Sequence, residues 1–93
     1  MAFNYFVVYD LISPGQNYNA IIERIKSLGV YAHMQYSLFY LQSDLAMADV
    51  HALIREVMDP NDRLAVIWAH DAHVSNYPMG DLQILADTFK RVA

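Results

Sequence analysis

The 93-residue sequence predicts a single α+β domain, with strands in one antiparallel sheet and helices packed on it. Three observations predict it. The chain opens on an aromatic, β-branched run from Phe3 to Asp10. Apolar residues then alternate between helical spacing and short strand-like runs. Turn-forming residues separate these segments at short intervals.

The opening run, Phe3 and Tyr5-Phe6-Val7-Val8-Tyr9-Asp10, holds residues that favour a pleated, half-buried surface. Its consecutive apolar residues mark a central strand, and Asp10 sits where the chain leaves the sheet. Ser13-Pro14-Gly15 is turn chemistry, because Pro fixes φ and Gly permits positive φ. Asn17 or a neighbour caps the next helix, whose apolar stripe is Ile21, Ile22, Ile25 and Leu28. Gly29 is read as its C-terminal stop. Val30–Met34 and Ser37–Leu41 read as strands joined by a turn near Gln35 and Tyr36. Ser43-Asp44 prepare a second helix with Val50, Leu53, Ile54 and Val57 on one face. Asp59-Pro60-Asn61-Asp62 breaks that helix, and Arg63–Ala69 forms the last strand. A polar stretch, His70–Pro78, leads to a final helix with Asp81 as its cap and Leu82, Leu85 and Phe89 as its apolar face. Lys90 and Arg91 fall in its last turn, where cations suit the helix dipole.

The resulting order, βαββαβ plus a tail, is that of a ferredoxin-like sandwich with a C-terminal helical extension. The core covers about residues 3–69 and the extension about 70–93. Both main helices cover one face of the sheet. The other face needs a partner or the tail to cover it. In this topology the first strand lies between the third and fourth. Asp10 then approaches Gln35, Tyr36 and Ser37 on one side and Asp62 and Arg63 on the other. Three readings of Asp10 remain open at this level. It accepts backbone N–H bonds in the Ser13-Pro14-Gly15 turn, it pairs with Arg63, or it serves as a metal-binding or catalytic carboxylate.

Composition narrows the classes. Apolar residues make up 56% of the chain, which in so small a domain predicts an exposed apolar patch and a homodimer. There is no Cys, so disulfides and thiolate metal sites are excluded. Neither a signal peptide nor a membrane span is visible, and a cytosolic protein is the default expectation. The net charge is −4, and the six basic residues are scattered. That pattern counts against tight nucleic-acid binding by one copy, although a dimer can gather sparse charges.

Tyr9-Asp10-Leu11 at the end of the first strand, with Met34-Gln35-Tyr36-Ser37-Leu38-Phe39 across the hairpin, resembles the small CRISPR-associated protein of the spacer-acquisition complex, the "Cas two" family. Tyr9-Asp10-Leu11 through Pro14-Gly15-Gln16-Asn17-Tyr18, with Leu28-Gly29, His33 and Asp59–Leu64, is closer still to the SinR-type family of small uncharacterised proteins. The resemblance covers residues 3 to about 69. It implies a ferredoxin-like homodimer. It carries a candidate metal and catalytic role to Asp10 and supporting roles to Tyr9 and Phe39, with Gln35, Ser37 and Arg63 as candidate binding residues around them. Some members of the CRISPR-associated family are described as metal-dependent nucleases, and others as structural dimers. The basic residues that family usually carries after the first strand and before the hairpin Gln are replaced here by Gln16, Asn17, Tyr18 and His33.

The remaining motifs carry less. His70-Asp71-Ala72-His73 has ligand chemistry but no partner pair, so a solvated loop is the simpler reading. The isolated Gly15, Gly29 and Gly80 form no phosphate loop. The tyrosines could stack bases, but without basic neighbours a core or a dimer contact fits them better. The expected function is a non-catalytic binding or assembly module. The alternative is a weak Mg²⁺-dependent endonuclease or ribonuclease using Asp10 paired across the dimer. A third possibility is a small-ligand sensor.

Overall fold

The computed structural model describes residues 2–12 and 18–89. They form a small α+β domain with a four-stranded antiparallel sheet and three helices. The elements are β1 (Phe3–Asp10), α1 (Tyr18–Lys26), β2 (Val30–Gln35), β3 (Leu38–Ser43), α2 (Met47–Arg55), β4 (Arg63–Trp68) and α3 (Met79–Thr88). The strand order is β2-β3-β1-β4, so β1 and β3 are central. The Ser13-Pro14-Gly15 turn, the Asn17 cap and the Lys90 and Arg91 positions lie outside the described residues.

The side-chain alternation of β1 gives the sheet two different faces. Tyr5, Val7 and Tyr9 point to one face and are buried there with Phe39 and Leu41 of β3. Ile21 and Ile25 of α1 and Val50 and Ile54 of α2 close this main core. On the second face α3 lies over β2 and β3. Leu85 packs there with Ala32, Met34 and Tyr40, and Phe6, Ile84 and Phe89 flank them. The tail thus covers the second face, but only in part. Val8, on the central strand, stays 39% exposed and Ile67 of β4 stays 50% exposed. Ala65, the cross-strand neighbour of Val8, is exposed beside them.

Several local details differ from expectation, each for a physical reason. Gly29 is not required by a left-handed stop. A Cβ there would overlap the backbone carbonyl oxygen of Gln42, so close approach to β3 demands a glycine. The β2–β3 turn contains Tyr36 and Ser37, neither with positive φ, so it is not one of the usual primed hairpin turns. A register irregularity between His33 and Gln35 accommodates it. Helix α2 starts after Ala46, which makes no side-chain cap, while the Ser43 hydroxyl accepts from Leu45 N at 3.2 Å. It ends at Arg55, before the Asp59-Pro60 break, and Val57 packs on the core from the following turn. Helix α3 is preceded by Pro78, with Asp81 in its first turn and not at its cap. The connection before it has Asn76 at φ 66°, a conformation Asn tolerates better than most residues.

Candidate functional site

Asp10 ends β1 opposite Arg63, the first residue of β4. On the other side, Tyr9 N donates to the Ser37 carbonyl at 3.2 Å, and Val8 stands opposite Leu38. The hairpin and the start of β4 therefore flank the Asp10 end of the strand, as the topology predicts. Asp10 and Arg63 are both exposed, and no ion pair or hydrogen bond among the described residues holds the Asp10 carboxylate. By alternation, Asp10 shares the half-covered face with Val8. Gln35 is engaged elsewhere: its Oε1 accepts from the Tyr77 hydroxyl at 2.6 Å, tying the hairpin to the connection before α3.

Tyr9 and Phe39 lie beneath this end. Phe39 is fully buried, stacked against His33 at 4.0 Å between ring centroids. The buried Tyr9 phenol donates to the Tyr36 carbonyl at 3.1 Å. Burial, with Tyr18 and Tyr36 nearby, pushes its pKa up to about 12. Both rings shape the ground on which Asp10 stands, and neither reaches solvent. The raised Tyr9 pKa has a signed consequence. The phenol is neutral in both states below its unfolded pKa near 10, so its contribution to stability is complete there. Between pH 10 and about 12 the unfolded chain loses the proton first, and stability falls as pH rises. Urea midpoints measured at pH 9 and pH 11.5 are expected to drop for the wild type, with a smaller drop in Tyr9→Phe.

The second acid near this end, Asp62, has a fixed task. It is 6% exposed and accepts from Ile12 N and Asp59 N, each at 3.0 Å. Arg55 donates to the Asp62 and Asp59 carbonyls at 2.8 and 3.0 Å. These bonds join the exit of β1 to the turn before β4 and hold the frame around Asp10. Among the described residues no three His, Asp or Glu side chains converge as a metal-ligand group. The His70–His73 stretch is exposed coil, with Asp71 Oδ1 accepting from Ala72 N at 2.8 Å.

The opposite end of β1 holds what the sequence reading missed. Asn4 is 3% exposed, and its Oδ1 accepts from the Tyr40 hydroxyl at 2.6 Å and from Gln42 Nε2 at 3.3 Å. Its Nδ2 donates to the Phe89 carbonyl at 2.6 Å, and Gln42 Nε2 donates to the Thr88 carbonyl at 2.7 Å. This network fastens the end of α3 to the sheet. The only sequence signal was a polar residue inside an aromatic strand. Beside it lies a cavity of about 470 Å³, between α3 and the segment leaving β4.

Comparison with models of protein families, with curated proteins and with solved structures finds no match to the chain. The class the structure defines is thus a small α+β domain whose sheet is sealed on one face and half-sealed on the other. No helix among the described residues is long and apolar enough to cross a membrane.

Proposed function

We propose that the chain is a homodimeric, non-catalytic binding or assembly module on a ferredoxin-like frame. The strand order β2-β3-β1-β4, with helices between the paired units, supports the frame. One observation carries the self-association: Val8, on a central strand, is exposed because the end of α3 covers β1 only at Asn4 and Phe6. Val8, Ala65 and Ile67 form an apolar strip there, with the acid Asp10 and the base Arg63 paired in register at its end. A patch carrying both an acid and a base is self-complementary about a two-fold axis. The reading agrees with the resemblance to the CRISPR-associated and SinR-type families and with a cytosolic setting. The wild type is expected to sediment as a dimer. Ile67→Asp, a change at a half-exposed position, is expected to weaken association at least about tenfold without unfolding the domain. A wild type that stays monomeric at all concentrations sinks the proposal.

A second reading rests on the Asp10 carboxylate, which no described residue holds. In this reading the two copies meet with their two Asp10 side chains facing each other. A Mg²⁺ ion between them would polarise a phosphate, giving a weak endonuclease or ribonuclease. The net charge of −4 and the absence of a basic stripe disfavour this substrate. Incubation of wild type and Asp10→Asn with RNA and DNA, with and without Mg²⁺, separates the readings. The assembly reading expects both proteins to leave the nucleic acid intact. Metal-dependent cleavage lost in Asp10→Asn would establish the nuclease.

A further inference from the structure

We propose that the cavity beside Asn4 is a binding site for a small organic cation with an apolar body. The proposal is separate from self-association through the β1–β4 face. The cavity, about 470 Å³, falls within the range of small-molecule sites. Its two walls are anchored to one buried residue. The Asn4 backbone carbonyl accepts from Ala69 N at 3.0 Å, which fixes the segment leaving β4. The Asn4 side-chain amide donates to the Phe89 carbonyl at 2.6 Å, which fixes the end of α3. The space between the walls is therefore held open by the sheet itself, and is not slack between loops.

The walls differ in chemistry. Leu85, Ala86 and Phe89 give a hydrocarbon side on α3, extended by Val74. The facing segment contributes His70 and Asp71. One Asp71 oxygen is satisfied by Ala72 N, and no described residue donates to the other. The described lining contains no Lys or Arg, and the chain carries a net charge of −4. A phosphate or carboxylate placed here would meet an acid with no compensating base among the described residues. An ammonium group would meet a charge-assisted acceptor while its hydrocarbon body covers Leu85 and Phe89.

The chain reports on this site by itself, because its single tryptophan, Trp68, is part of the lining. Phenylbutylamine, phenylbutanol and phenylbutyrate share one body and differ in head-group charge. Each is titrated into the full-length protein while Trp68 fluorescence is followed. The amine is expected to give a saturable change with affinity about tenfold above the alcohol, and the carboxylate to bind more weakly than either. Asp71→Asn is expected to bring the amine down to the level of the alcohol. Ala86→Phe, which places a ring in the cavity from an exposed helix position, is expected to abolish all three responses while the melting temperature is kept. Equal affinity for amine and carboxylate overturns the proposal. So does a response that survives Ala86→Phe, or the absence of a saturable change with any probe.

Discussion

Asn4→Ala is expected to cost roughly 2–5 kcal/mol of folding stability, because several buried polar groups lose their partner together. The Tyr40 hydroxyl, fully buried, would be left without its acceptor, and the Phe89 carbonyl without its donor. Thr88 Oγ1, which donates to the Ile84 carbonyl at 2.6 Å, lies 3.1 Å from the Tyr40 hydroxyl and offers it only a longer substitute for the 2.6 Å bond to Asn4. The loss is also mechanical. With the anchor gone, the end of α3 is held on the sheet by the Gln42 bond to the Thr88 carbonyl and by Leu85 and its apolar neighbours. Urea denaturation gives the magnitude. The double variant Asn4→Ala/Tyr40→Phe is expected to lose less than the sum of the single changes, since each removes the other's unsatisfied group. Strict additivity would show that the two side chains do not act as one unit.

Gly29→Ala is expected to be of similar size, about 3 kcal/mol, by a different route. The new methyl would collide with the carbonyl oxygen of Gln42, and backbone cannot step aside as a flexible side chain can. Gln42 stands opposite Val30 where β2 begins to pair with β3. Accommodation therefore requires the first rungs of that ladder to open. The same Gln42 also bonds Asn4 and Thr88, so the disturbance reaches the anchor of α3. For a domain of this size such a loss lowers the melting temperature by roughly 12–24 °C. A shift of a degree or two would mean that β2 and β3 can separate there at little cost.

These two positions also mark where the sequence stops being legible. The order of elements could be read because strand and helix leave different periods: the Phe3–Asp10 run is dense in aromatic and β-branched residues, while Ile21 and Ile25 recur at helical spacing. The neighbours of Asp10 followed from strand order, and Ser37 and Arg63 lie where that order puts them. Gly29 could be read only as a helix stop, because the feature that requires it is a strand thirteen residues further on. Asn4 showed only as a polar residue inside an aromatic strand, because its partner Phe89 lies 85 residues away. The start of α2 was obscured by local chemistry. Ser43 and Asp44 look like cap residues, yet the helix begins after an uncapped Ala46. The cavity has no linear signature, since it exists only once α3 and the segment after β4 are both fixed to β1.

In the proposed dimer a second copy sits on the strip of Val8, Ala65 and Ile67 that α3 leaves exposed. Isotope-filtered NMR on a mixture of labelled and unlabelled chains tests it most directly, because only contacts between copies are recorded. Intermolecular contacts are expected from the methyl groups of Val8, Ala65 and Ile67. Contacts confined to the outer surfaces of α1 and α2, or none at concentrations where the chain is a dimer by mass, would contradict it.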